Sequence, residues 1–208
     1  MARRVGSTGE KTARAIRDAA IVLFAERGYA AVSMRALADH VGIQVSALYN
    51  HFETKQDVLA TVMVEHLEEV LASWEAMPGR NDDPERALEA FARFHVRYHV
   101  DRQREVFISF MELRSLEDDN FRVVEALRKS YEHEIRDILE TGRKRGIFDI
   151  KDAHVTAMAL LAMVTGVTTW FKPTGRLSAQ EIEEVYVAMV MQAVGADYQT
   201  AIDQKKAG

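Results

Sequence analysis

The chain is predicted to be all-α, with an N-terminal three-helix head that contains a helix-turn-helix and a larger C-terminal helical body. Three observations predict this. Residues 28–55 read as two short helices joined by a tight turn, and from Thr54 onward apolar residues recur at helical spacing. Between those stretches Pro and Gly fall in a few short clusters that break them.

In the head, Ser33 is placed to cap a helix whose buried face carries Leu37 and Ala38. Gly42 then supplies a turn residue free to take positive φ before a second short helix begins near Gln44. A helix that enters a DNA major groove about 12 Å wide must be thin and polar-tipped, with its inner face anchored to a neighbour. The second helix meets both requirements. Val45, Ser46, Ala47 and Asn50 offer small or hydrogen-bonding groups on one side, while Leu48 and Phe52, four apart, point inward. At its exit Tyr49, His51, Thr54 and Lys55 gather groups suited to phosphate oxygens.

The body follows in order. Thr54-Lys55-Gln56-Asp57 starts a long helix with apolar groups from Val58 to Trp74, and Pro78-Gly79 through Asp83-Pro84 is the clearest break. Helices are then expected over Glu85 to Val100, roughly Glu105 to Leu116, and from Asp118-Asp119-Asn120 to about Arg145. Ala153 to Phe171 is almost uncharged and apolar nearly all round, so most of its sides must be covered. Ser178 to Glu181 matches a capping box ahead of a last helix striped by Ile182, Val185, Tyr186, Met189 and Val190. This final pair either completes the core of one chain or meets its copy in a four-helix interface.

Composition bounds the function classes. A chain of 208 residues that is 48% apolar supports a large core in one or two domains, and no Cys is present to form a disulfide or act as a thiol nucleophile. No signal peptide precedes the first helix and no apolar run approaches the roughly 18 residues of a membrane span, so a cytoplasmic protein without membrane contact is expected. The net charge of −5 is unevenly divided. Residues 1–56 hold eight Lys/Arg and five Asp/Glu, leaving nineteen and twenty-seven for the rest: a small basic head on an acidic body. Arg3 and Arg4 extend the basic region as an N-terminal arm. His95 and His99 share a helical face, yet neither a Glu-x-x-His pair nor a His-Glu-x-x-His motif occurs, and they are expected to be partly buried or interfacial. Gly-x-Ser-x-Gly, Walker and dinucleotide motifs are absent too. No catalytic residue, metal site or cofactor is expected.

The runs Ala25-Glu26-Arg27-Gly28-Tyr29, Ser33-Met34-Arg35-Ala36-Leu37-Ala38, Val41-Gly42-Ile43 and Leu48-Tyr49-Asn50-His51-Phe52-Glu53-Thr54-Lys55 together resemble the DNA-binding domain of the tetracycline-repressor (TetR) family. The resemblance implies a dimeric transcription factor, usually a repressor, with a DNA-binding domain at 1–56 and an effector-binding and dimerisation domain at 57–208. It implies that Arg35 and Gln44 to Ala47 face base edges, and that Tyr49, His51 and Lys55 contact the DNA backbone. Two positions depart from the pattern. Gln44 stands where the family commonly has Ser, which weakens the cap, and Ser46 stands where it has Gly, which adds a side chain near the groove. The partners implied are double-stranded DNA with a palindromic operator, a small-molecule effector and a second copy of the chain. A helical scaffold that binds only protein is the alternative.

Candidate pocket residues are Phe94, Tyr98, Phe107, Phe110, Met111, Met163, Trp170 and Phe171, because aromatic and Met side chains favour adaptable apolar sites, although the same residues also suit an ordinary core. Arg114 adds a cation beside them. Glu112 to Leu116, Gly142 to Phe148 and Trp170 to Ser178 resemble the ligand domains of family members that control lipid, steroid or aromatic-acid breakdown, several of which answer to acyl-CoA thioesters. That leaves an acyl-CoA or a neutral or aromatic hydrophobic molecule as the expected effector.

Overall fold

The computed structural model describes residues 6–196, and the regular structure among them is nine α-helices and three short 3₁₀ turns. The Arg3–Arg4 arm lies outside the described residues. Two compact units are formed: residues up to Glu68 with Arg104–Leu127, and Glu69–Gln103 with those from Arg128 on.

The first unit holds α1 (Gly6–Arg27), α2 (Met34–Val41), α3 (Val45–Tyr49), most of α4 (Lys55–Glu75), nearly all of α6 (Gln103–Met111) and the first turns of α7 (Asp118–Lys144). Ser33 Oγ accepts from Ala36 N at 3.1 Å to cap α2, a bond of the kind that contributes about 1 kcal/mol. Gly42 ends that helix at φ 78° and ψ 33°, with its N–H on Ala38 O at 2.9 Å. Helix α3 has only five residues, too few to stand alone, and its stability comes from packing. Leu48 from α3 is fully buried in a core with Ile16, Leu23, Phe24, Leu37, Leu59 and Met63, and burying such a leucine contributes about 1.5–3 kcal/mol. Ile108 of α6 and Val124 of α7 complete this core.

The second unit is built on α5 (Pro84–Asp101), packed by α9 (Ala179–Ala193), α8 (Ala153–Thr165) and the long C-terminal part of α7. Asp83 caps α5 through Arg86 N at 3.2 Å with Pro84 at its first turn, where a missing N–H costs nothing. Phe91 is the centre of the core, with Trp74 edge-on at 5.1 Å and Tyr131 stacked at 5.3 Å. The register of α9 on α5 is set by charge. Glu183, buried, accepts a two-bond fork from Arg97 at 3.0 and 2.9 Å and a third bond from Arg93 at 3.2 Å.

Two helices are shorter than their apolar pattern predicts. The stretch from 105 to 116 leaves the α conformation at Met111 and continues as a 3₁₀ turn, Leu113–Ser115. The one from 153 to 171 ends at Thr165 and tightens into a 3₁₀ turn, Gly166–Thr169. There Thr168 and Thr169 donate their hydroxyls to the carbonyls of Thr165 and Gly166 at 2.9 and 2.8 Å, local bonds that compete with the α ladder.

Near the end of α7 the chain folds back over Gly142, whose carbonyl accepts from Ile147 N at 2.9 Å and Phe148 N at 3.3 Å. A Cβ at Gly142 meets the Phe148 ring, which is buried. Alanine gains about 1 kcal/mol of helix propensity there but overpacks the core, at a cost towards the upper end of about 1–3 kcal/mol because the Phe148 ring is buried, so Gly142→Ala is expected to destabilise by up to about 2 kcal/mol. Chemical denaturation checks this, and a variant as stable as the parent would show that Phe148 moves freely.

Candidate nucleic-acid interface

The predicted reading residues lie on α2, on α3 and its flanks, and at the start of α4. Arg35, Gln44, Ser46, Tyr49, Asn50 and Thr54 are exposed, while Val45, Ala47, His51 and Lys55 are half-buried. Behind them Leu37, Ala38, Leu48 and Phe52 are buried, so the face that carries the polar tips is held by an apolar anchor. Gln44 occupies the cap position of α3 without a side-chain cap bond, which leaves its amide available to an outside partner.

At the entry to α4, Thr54 N donates to Asp57 Oδ2 at 2.8 Å, and Asp57 N donates to Thr54 Oγ at 3.1 Å. The Thr54 hydroxyl keeps its own proton for an outside acceptor. Lys55 is less free than its charge suggests. Its ammonium donates to Tyr29 O and Val32 O, both at 2.9 Å, and lies 4.1 Å from the centre of the Tyr29 ring. One of its three N–H groups remains for a phosphate.

The candidate pocket residues are divided between the two units. Phe94, Tyr98 and Phe171 are buried in the second, with the first two rings 5.4 Å apart. Met163 is half-buried there, and Trp170 is 54% exposed, stacked on Tyr186. Phe107, Phe110, Met111 and Arg114 belong to the first unit and are exposed.

His95 and His99 are not partly buried or interfacial, as expected from sequence, but fully enclosed. Their rings stack at 3.7 Å, 10° from parallel. His95 Nδ1 lies 3.1 Å from Tyr131 Oη and its Nε2 2.9 Å from Thr165 Oγ, while His99 Nδ1 donates to the His95 carbonyl at 2.8 Å. These are polar groups from three helices closed on one another inside an apolar core, which secures a burial that would otherwise be costly. Burial, and after it the neighbouring His99, hold the His95 pKa well below its usual value, and burial lifts the Tyr131 hydroxyl well above its own. An unfolded imidazole takes a proton near pH 6.5 that folded His95 resists. The stability present above that pH is therefore lost as pH falls below it, at up to about 1.4 kcal/mol per pH unit. The melting temperature is expected to drop between pH 7.5 and 5.5 by more in the parent than in His95→Gln, and equal drops would refute this.

Helices α8 and α9 carry apolar side chains that this chain leaves uncovered: Val155, Met158, Val185 and Met189. Among the described residues, no helix is long and apolar enough to cross a membrane, and no group of His, Asp and Glu side chains is placed to hold a metal ion.

The sequence marked Gly28-Tyr29 and Glu112 to Leu116 as separate motifs, and it singled out neither Tyr29, Gln56 nor Glu112 for a role. In the folded chain these meet: Tyr29 N donates to Glu112 Oε1 at 2.9 Å across 83 residues. No local pattern signals such a contact.

Similarity to known proteins agrees with this geometry. The family model described as bacterial regulatory proteins, tetR family, matches residues 16–62, and that described as tetracyclin repressor-like, C-terminal domain, matches residues 81–194. The chain is 30% identical over 177 residues to the HTH-type transcriptional repressor KstR2 of Mycolicibacterium smegmatis, covering 83% of this chain and 85% of that one. A solved bacterial regulatory protein in the tetR family from Rhodococcus RHA1 superposes with a TM-score of 0.84 at 28% identity, over 89% of this chain and 98% of that one. AibR, solved in complex with isovaleryl coenzyme A and operator DNA, superposes with a TM-score of 0.76 at 28% identity, over 86% and 97%.

Proposed function

Because the chain belongs to the tetracycline-repressor (TetR) family of bacterial regulatory proteins, we propose that it is a homodimeric repressor that grips a palindromic operator and is released by a small hydrophobic or acyl-CoA-type effector. The observation that carries this reading is the polar face from Arg35 to Lys55, exposed over a buried apolar anchor within a helix-turn-helix. Residues 1–56 make the DNA contacts. Residues 57–208 take the effector and pair with the copy through the uncovered faces of α8 and α9. Two heads related by a two-fold axis match successive major grooves when their recognition helices lie about 34–36 Å apart. An effector that binds better to a differently spaced dimer lowers operator affinity by no more than that difference in its own affinity.

The acyl-CoA class is supported by the isovaleryl coenzyme A held by AibR. Within the second unit, Phe94, Tyr98, Met163 and Phe171 serve as the apolar lining for the effector. The test is selection of bound fragments from random or genomic DNA, followed by titration of the best site with and without acyl-CoAs. A palindrome released by one thioester supports the whole reading. A palindrome unaffected by any of them keeps the regulator and removes the thioester. Absence of enriched DNA favours a protein-binding scaffold.

A further inference from the structure

Tyr29 and Gln56, themselves bonded to each other, tie the start of the helix-turn-helix to a segment far along the chain. Tyr29 lies in the 3₁₀ turn Tyr29–Ala31 between α1 and α2, a turn with no fully buried residue to fix its place. All three of its polar atoms are used. Its N–H donates to Glu112 Oε1 at 2.9 Å, its carbonyl accepts from Lys55 Nζ at 2.9 Å, and its hydroxyl accepts from Gln56 Nε2 at 3.0 Å.

Gln56 is in turn bonded to the segment that follows α6, and Glu112 is bonded within it. Gln56 Nε2 donates to Ser115 O at 2.6 Å and its Oε1 accepts from Glu117 N at 3.1 Å, while Ser115 Oγ donates to Glu112 Oε2 at 2.8 Å. Lys55 carries the tie forward to Val32 O, directly before Ser33, the cap of the helix that bears Arg35.

We propose that Tyr29, Gln56 and Glu112 are positioning residues for DNA reading, and that the head holds its reading geometry only while residues 112–117 are docked on Tyr29 and Gln56. This rests on residues 34–55 contacting DNA. Glu112 supplies the ionised acceptor, which makes its bonds stronger than neutral ones. The same residue makes the role testable by sign. A carboxylate that acts on DNA only through its charge repels phosphates, so its removal tightens binding. A carboxylate that positions the turn does the opposite when removed.

The experiment measures operator affinity of the full-length chain over a range of salt concentrations. Glu112→Ala is expected to lose about tenfold in affinity, as removal of a charge-assisted bond implies. The slope of log affinity against log salt stays unchanged, since no phosphate contact is removed. Glu112→Gln keeps an acceptor for Tyr29 N and is expected to remain within about threefold of the parent. Tighter or unchanged binding by Glu112→Ala overturns the positioning role. If that variant does not fold, Tyr29→Phe decides: it deletes only the hydroxyl that meets Gln56, and is expected to lose about threefold with its fold intact. Unchanged affinity in Tyr29→Phe then overturns the role. A parent chain that retains no DNA overturns the DNA reading itself and the positioning role with it, whereas a binding parent with unaffected variants overturns the positioning role alone.

Discussion

Met189→Glu is expected to leave a folded chain that no longer pairs with its copy and that loses about 10²–10⁴-fold in operator affinity. Met189 lies on α9 at 44% exposure, and Val185 of α9 with Val155 and Met158 of α8 are also uncovered. In the separate chain a carboxylate at this position stays in water and costs little. At an apolar interface between two copies it must be stripped of water without a partner, at a cost of several kcal/mol, which prevents association. The loss of DNA affinity is larger than any single contact can explain, because the second head then no longer benefits from the first being bound. Met189→Leu, of similar volume and polarity, is the control and is expected to behave as the parent. Sedimentation and fluorescence anisotropy on the same samples check both parts. A Met189→Glu chain that still pairs would place the dimer interface on another face.

Arg35→Ala is expected to weaken binding to the best operator by about 1–3 kcal/mol, or roughly 5- to 150-fold, and to relax discrimination at one base pair. The side chain is exposed on α2, and among the described residues no ion pair engages it, so the guanidinium reaches the groove without first breaking a bond. A guanidinium fork can bond guanine O6 and N7 together, which is why the loss is expected to fall on one base pair. Tyr49→Ala offers the contrast. Its exposed phenol sits at the exit of α3, where a phosphate contact predicts an even loss across all sequences. Competition with operators changed one base pair at a time separates the two. An even loss for Arg35→Ala would make it a backbone contact.

The reading helices were legible in sequence because their determinants are local. Ser33 caps α2 three residues ahead of the amide it accepts from, and Gly42 meets a demand for positive φ that few other residues satisfy. The Ser178–Glu181 capping box is equally short in range and forms as expected. Boundaries were less legible where side chains compete for the backbone, as the two threonines do at the end of α8.

The candidate pocket shows where sequence ran out. Periodicity says which residues share a helical face but not what the face meets, so Phe94 and Phe107 look alike in sequence although one is buried in the second unit and the other is exposed in the first. The same limit hid the closed cluster of His95, Tyr131 and Thr165, which comes from three helices separated by tens of residues.

By itself, then, the sequence determined the all-α class, the helix-turn-helix with its polar tips, and the family, because each depends on residues within a turn or two of one another. Only the tertiary structure decided that residues 104–127 pack with the DNA-reading unit and that Glu112 holds Tyr29. A chain that leaves one compact unit at Glu68 and returns to it at Arg104 does so because distant apolar faces, Ile108 and Val124 among them, find burial in the same core. That burial is a property of the closed structure, and no local preference encodes it.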